Sequence, residues 1–191
     1  MKTKLSAPAL FMYASIGALT LLSVLFLTLF YTGLLPHPAV MWAGAVCFII
    51  LYQFALRILF GEISKKFPLD YNHAVFQRRP FEKALYRLLH VRAWKDRVLT
   101  FDPAAYDLKT RSLSDVAKTM CKSEIDHWFN ILLSLLMPLF ALLWGALPIL
   151  LSAALLAVLF DLQFIVVQRF NRPIVLRLLS RGQTMAKLAK E

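Results

Sequence analysis

Glu124 and His127 are the residues of this 191-residue chain whose types and spacing best suit acid–base chemistry. Three residues apart on a predicted helix, they share one face. A carboxylate that hydrogen-bonds an imidazole fixes its tautomer and raises its basicity, which suits a general base. The same stretch, with Asp126 and Trp128, could instead be a polar helix start where the chain enters a membrane. From these residues alone both interpretations stay open.

Residues 91–97 form a second group, which places three cations, Arg92, Lys95 and Arg97, beside the indole of Trp94. Arginine can hold a phosphate through two parallel hydrogen bonds, and lysine adds a point charge. The alternative is an interfacial anchor, because tryptophan and basic residues are common at the membrane surface. Composition alone favours the anchor.

Asn171 and Arg172 stand next to Pro173 and form a third group, where the adjacent proline predicts a defined turn. Arg169 by itself is better explained as a snorkelling arginine at the end of a membrane span. Asp161 falls inside a predicted span, where an ionisable group is costly and often functional. It could instead reach water at the interface or pair with a nearby arginine.

The composition indicates which solvent must surround these groups. Hydrophobic residues make up 59% of the chain and the net charge is +11. A soluble domain of this size could not bury so much apolar surface, so we expect lipid as the solvent. Excess lysine and arginine in a membrane protein set orientation and attract anionic lipid, so nucleic acid is not an expected partner.

Four spans are predicted, near residues 9–34, 39–60, 126–144 and 147–168, in an all-α membrane protein of one domain. Each of the two long apolar stretches exceeds one bilayer crossing, and turn signals divide them at 33–38 and 144–148. No lysine or arginine falls in either of the two short connections between the predicted spans. The positive-inside rule therefore predicts a multi-pass protein of the cell membrane, with both termini, segment 61–125 and tail 169–191 in the cytoplasm.

Amphipathic helices are predicted in the segment and in the tail. Apolar residues recur at helical spacing at Phe81, Leu85, Leu88 and Leu89, which indicates a helix lying on the membrane. Ser112 or Ser114 could cap the helix that leads into the third span. Asn171 could cap a separate tail helix that has proline in its first turn.

In their order and spacing, the three groups resemble the glycosyl-4,4'-diaponeurosporenoate acyltransferase family, whose members add a fatty acyl chain to a sugar on a carotenoid. The resemblance rests on residues 91–95, on Glu124 with His127 and Trp128, and on residues 165–173, and covers roughly residues 76–182. Because the first two spans look longer and more apolar here, it implies acyl transfer to a membrane lipid better than it implies a carotenoid acceptor.

The expected activity is transfer of a fatty acyl group to a hydroxyl of a lipid-linked acceptor, such as the sugar of a glycosylated carotenoid or another glycolipid. His127 would be the general base and Glu124 would orient it. Cations would hold the phosphate-bearing part of the donor or stabilise developing charge. The expected substrate-binding residues are Arg92, Trp94, Lys95, Asn171 and Arg172. No metal and no cofactor is expected, because the activated acyl donor is a substrate.

The expected partners are the acyl donor, the lipid acceptor and anionic phospholipid. Two other functions stay open. A small basic membrane protein could bind lipid or scaffold enzymes without catalysis. The chain could also be another lipid-modifying enzyme, such as a methyltransferase or reductase, although no Gly-rich nucleotide fingerprint supports that.

Overall fold

Helices make up the fold of the computed structural model, which describes residues 7–100 and 102–188, with side chains up to residue 185. The α-helices are α1 (Ala7–Tyr31), α2 (Pro38–Ser64), α3 (Glu82–Leu88), α4 (Val91–Trp94), α5 (Leu113–Leu136), α6 (Ala141–Trp144) and α7 (Leu147–Leu188). Short 3-10 turns occupy Ala74–Phe76, Lys95–Arg97, Pro103–Tyr106 and Met137–Phe140. These described ranges hold no strand, and the all-α prediction is confirmed.

Four helical stretches are long and apolar enough to cross a membrane: Ala7–Tyr31, Pro38–Ser64, Leu113–Trp144 and Leu147–Met185. The third stretch joins α5 to α6 through a 3-10 turn that contains Pro138, whose ring nitrogen cannot donate to an α-helical ladder. Large apolar side chains on these stretches point outward, as Leu21 and Leu142 do with 74% and 87% exposure. Such surfaces suit lipid rather than water as solvent.

The two predicted turns between apolar helices are present. Gly33 lies in the first with φ +75°, and Gly145 lies in the second with φ +72°. Glycine adopts this left-handed backbone at little cost because it lacks a Cβ atom. Ala146 also has a positive φ, of +52°, which costs an alanine roughly 1–2 kcal/mol. The short second turn therefore depends on glycine and carries local strain at the next residue.

Ser112 caps α5, as one of the two sequence alternatives predicted. Its Oγ accepts a hydrogen bond from the Asp115 amide at 3.1 Å and donates to the Asp115 carboxylate at 2.7 Å. One of the free amides at the helix start is thereby satisfied, and the carboxylate lies at the positive end of the helix dipole. The cap fixes where the helix that carries Glu124 and His127 begins.

The predicted cap at Asn171 is wrong, because α7 continues through Pro173 without a break. Contacts on both sides of the proline hold the helix together. Before it, Arg172 is bonded to α5, and after it, Val175 packs on the α5 residues in the core. Tertiary packing thus overrides the local preference of proline to begin or end a helix.

α3 is amphipathic, as predicted. Phe81, which precedes it, and Leu85, on it, are exposed at 65% and 36%, whereas Glu82 and Tyr86 are buried. The apolar stripe therefore lies on the outer face of this short helix. The inner face carries polar groups that bond to α7, which ties α3 to the body of the protein.

The chain forms two compact units. The first unit comprises Met1–Glu62 with Asn130–Val158, and the second comprises Ile63–Phe129 with Leu159–Glu191. In the first unit α1 and α2 pack closely at Gly44, where a Cβ atom would lie 2.8 Å from the Leu27 side chain and 3.0 Å from the Leu27 nitrogen. Ser23 Oγ also donates to the Gly44 carbonyl oxygen at 3.4 Å. Small residues permit such helix contact in membranes.

The core of the second unit lies between the first half of α5 and the last third of α7. Its buried residues are Val116, Ala117, Met120 and Val175, and the residues packed against them are Tyr71, Tyr106, Leu113 and Leu176. The two helices run antiparallel here. Residues further along α5 therefore meet residues nearer the start of α7, which places the candidate site.

We expect Gly44→Val to destabilise the protein, because the added atoms must move the Leu27 backbone as well as its side chain. Overpacking of this kind costs about 1–3 kcal/mol. Thermal unfolding in detergent micelles measures the effect. Gly17→Val is the matched control, since a Cβ atom at Gly17 meets nothing within 4 Å. Equal midpoints for the two variants would contradict the close helix contact.

Candidate functional site

His127 pairs with Asp161, and not with Glu124 as the sequence predicted. The His127 Nδ1 atom lies 2.7 Å from Asp161 Oδ1, which joins α5 to α7 within the second unit. The Asp161 side chain is fully buried, whereas that of His127 keeps 17% of its surface exposed. The prediction failed because three-residue spacing shows which residues share a helix face, but not which residue the facing helix presents.

The geometry of the pair fixes the imidazole. An ionised carboxylate can only accept hydrogen bonds, so in the neutral ring Nδ1 is the donor to Asp161 and Nε2 keeps its lone pair. The ring also stacks on Phe164, with 4.3 Å between centroids and 3° between planes. Nε2 has no hydrogen-bond partner among the residues with described side chains. An oriented imidazole on a side chain that is partly exposed has the form of a general base.

Helical periodicity explains why these residues meet. Met120, Glu124 and His127 follow one another at i, i+4 and i+7 on α5, and so form a single stripe. Met120 packs against Val175 of α7, Glu124 bonds to α7, and His127 meets Asp161 one step further along the antiparallel pair. A carboxylate inside so apolar a helix needs a polar partner, and His127 supplies one.

Glu124 belongs to a four-charge network with Glu82, Arg169 and Arg172. Arg172 Nη2 donates to Glu124 Oε2 at 2.5 Å, and Arg169 Nη1 donates to Glu124 Oε1 at 2.6 Å. Arg169 Nη2 also donates to Glu82 Oε1 at 2.5 Å. The two positive and two negative groups cancel formally. Both oxygens of Glu124 thus accept hydrogen bonds from arginines of α7.

Arg169 and Arg172 also donate hydrogen bonds to backbone carbonyl oxygens in the segment that precedes α3. Arg172 Nε donates to the Phe76 carbonyl oxygen at 3.1 Å, and its guanidinium lies 5.1 Å from the centre of the Phe76 ring. Arg169 donates to the carbonyl oxygens of Val75 and Gln77. Arg169 is therefore a part of the interior network, and the prediction of a snorkelling arginine is wrong. Arg172 is only 1% exposed, which fits a structural role better than contact with a donor.

Glu82 remains ionised in this network. Burial acts to raise the pKa of the Glu82 carboxyl, but hydrogen bonds from Arg169 and Tyr86 and the Arg169 charge outweigh it and hold the pKa below its ordinary 4.5. Tyr86 donates to Glu82 Oε2 at 2.7 Å. Sequence reasoning missed Glu82, because nothing in a single sequence shows that a residue 87 positions before Arg169 will contact it.

The other predicted site residues lie outside this network. Trp94 Nε1 donates to the Leu89 carbonyl oxygen at 2.9 Å, and Lys95 pairs with Asp96 at 2.6 Å. Arg92 is exposed on α4, and Asn171 is half-buried within α7. Among the described side chains, Glu124 and His127 bond to none of these four residues. No group of three His, Cys, Asp or Glu side chains that could hold a metal ion occurs in the described ranges.

We expect Glu124→Gln to lower stability strongly, because it leaves the buried Arg172 without its anionic partner. Breaking a buried ion pair on one side costs about 3–5 kcal/mol. Asp126→Asn is the control, since its pair with Lys122 keeps more than a fifth of both side chains exposed. Thermal unfolding compares the two. If Glu124→Gln has the same unfolding midpoint as the wild type but no activity, the structural role is contradicted and Glu124 acts at the reacting groups.

Comparison with known proteins adds one match. A family model for glycosyl-4,4'-diaponeurosporenoate acyltransferase matches residues 72–181, which is more than half of the chain. The matched range contains both members of the His127–Asp161 pair and all four charges of the network. Neither the curated proteins nor the solved structures gave a match. The chain belongs to the glycosyl-4,4'-diaponeurosporenoate acyltransferase family.

Proposed function

We propose that the protein transfers a fatty acyl group from an activated donor to a hydroxyl of a lipid-linked sugar, with His127 as general base and Asp161 as the residue that positions it. The family supports acyl transfer in carotenoid pigment synthesis. The observation that carries the proposed mechanism is the 2.7 Å contact between His127 Nδ1 and the buried Asp161 carboxylate. Asp161 takes the orienting role that the sequence analysis gave to Glu124.

In the proposed reaction His127 Nε2 accepts the proton of the acceptor hydroxyl while the oxygen attacks the acyl carbonyl carbon. The donor in this reaction is an acyl thioester. The new carbon–oxygen ester bond forms, and the bond from the carbonyl carbon to the sulfur then breaks, which releases the thiolate. The imidazolium returns its proton to the leaving sulfur, so the enzyme ends as it began. Asp161 stabilises the imidazolium and keeps the Nδ1 proton in place, as in other imidazole–carboxylate pairs.

The acceptor is proposed to reach the site from the lipid phase. Both His127 and Asp161 lie on stretches apolar enough to cross a membrane. A glycosylated carotenoid is one acceptor of the proposed class, and another glycolipid with a free sugar hydroxyl is a second. The chain is proposed to be a multi-pass protein of the cell membrane with both termini in the cytoplasm, because its cations lie outside the short turns between the apolar helices.

The cations around α4 are proposed to bind anionic phospholipid. Arg92 is exposed, Lys95 bonds to the neighbouring Asp96, and Trp94 lies between Arg92 and Lys95 in the sequence. This arrangement is typical of an interfacial anchor, in which the indole sits at head-group depth beside basic residues. The anchor would hold the second unit at the membrane surface without touching the reacting atoms.

We expect His127→Ala to abolish acyl transfer and Asp161→Asn to reduce kcat by roughly 10²–10⁴-fold, since the asparagine no longer stabilises the imidazolium. The assay follows a labelled acyl thioester in liposomes that contain a glycosylated carotenoid or a total glycolipid extract. Asp126→Asn is the matched control, because Asp126 bonds to Lys122 and Ser64 instead of His127.

Two outcomes would contradict the proposal. A folded His127→Ala protein with normal turnover would remove the imidazole from the mechanism. Wild-type protein that binds the lipids but forms no acylated product with either acceptor would favour the non-catalytic lipid-binding alternative. Product formation and unfolding temperature are measured on the same preparations. A variant that is inactive because it is unfolded is thereby distinguished from a folded variant that has lost catalysis.

A further inference from the structure

A groove of about 400 Å³ lies beside α3 in the second unit. We call it the α3 groove. It is lined by Arg79, Phe81, Glu82, Leu85, Tyr86, Trp128, Ile165, Val166 and Arg169. The volume falls in the range of sites that hold small organic ligands, and most of the lining is aliphatic or aromatic. Phe81 and Trp128 at its edge are more than half exposed. An apolar chain can therefore enter from the surrounding lipid.

Arg79 gives the groove one unmatched positive charge. Glu82 and Arg169 neutralise each other through their 2.5 Å ion pair. The Arg79 side chain is exposed and makes no hydrogen bond or ion pair with any residue whose side chain is described. A guanidinium at the edge of an apolar groove is suited to a ligand with an anionic head and an apolar tail, and it binds phosphate through paired hydrogen bonds.

The α3 groove is next to the His127–Asp161 pair. Trp128 directly follows His127 on α5, and Ile165 follows Asp161 by four residues on α7, about 6 Å along the helix axis. Phe164, which stacks on His127, immediately precedes Ile165. The groove and the imidazole are thus carried by the same stretches of α5 and α7.

We infer that the α3 groove holds the acyl chain of the donor, an acyl thioester of a phosphate-bearing carrier, and that Arg79 binds the phosphate. The inference rests on the proposed function, which requires an activated acyl group near His127. It moves the donor away from Arg172, whose guanidinium is bound by Glu124 and Phe76. Val166 and Leu85 then face the chain and determine which chain lengths fit.

Photoaffinity labelling tests the occupant without turnover. Purified protein in micelles is irradiated with palmitoyl coenzyme A that carries a diazirine on the acyl chain, and the labelled residues are mapped by mass spectrometry. We expect label on groove residues, with competition by unlabelled palmitoyl coenzyme A. Arg79→Gln should reduce labelling about 10-fold or more, whereas Lys83→Gln, an exposed cation of α3 outside the groove lining, should not.

Filling the groove gives a second, independent readout. Val166→Phe or Leu85→Trp should shift the preferred donor to shorter chains, with at least about a 10-fold loss for the longest chain, because each methylene in a hydrophobic pocket carries a substantial share of the affinity. Leu85 is 36% exposed, so that variant tests the idea even if Val166→Phe fails to fold. An unchanged chain-length profile in both folded variants would overturn the inference.

The same probe distinguishes this inference from the proposed mechanism. His127→Ala should still be labelled in the groove, because the imidazole is not needed for binding. Groove labelling together with normal turnover of His127→Ala would reject the mechanism and keep the groove. Label spread over the lipid-facing helices, or a groove labelled by a diazirine phosphatidic acid but not by the thioester, would overturn the inferred occupant.

Discussion

A carboxylate buried in an apolar helix needs a polar partner, and Asp161 meets this need through His127. The pairing sets the register of α5 against α7, since only one antiparallel alignment brings these two side chains together. It also sets the chemistry, because the bond to Nδ1 leaves Nε2 as the basic atom. One contact therefore constrains both the packing of the second unit and the group available for catalysis.

The four-charge network fixes the same two helices nearer their cytoplasmic ends as we propose them. Glu124, Arg169 and Arg172 connect α5 to α7, and Glu82 adds α3. Because the charges cancel and each has partners at hydrogen-bond distance, the group tolerates burial that a lone charge would not. The network therefore stabilises the packing of α3, α5 and α7, whereas the His127–Asp161 pair supplies the basic atom Nε2.

Composition and periodicity were enough to predict the all-α class, the apolar helices, both turns and a serine cap of α5 at Ser112 or Ser114, because these depend on neighbours in sequence. The partner of His127 could not be predicted in the same way. Asp161 stood out as a charge in an apolar run, yet its contact lies 34 residues away. Glu82 carried no signal at all. The uninterrupted α7 was missed because packing around Pro173 overrides its local preference.

The tautomer of His127 is the most direct measure of the account. Protein labelled with ¹⁵N in the histidine rings contains four such residues, and His127→Gln identifies the His127 signals by their loss. For the neutral ring we predict a protonated Nδ1 and an unprotonated Nε2, with the Nδ1 signal moved by Asp161→Asn. A protonated Nε2 with an unprotonated Nδ1 would contradict the claim that the Asp161 carboxylate sets the tautomer of His127. His127 signals that do not shift in Asp161→Asn would contradict it as well.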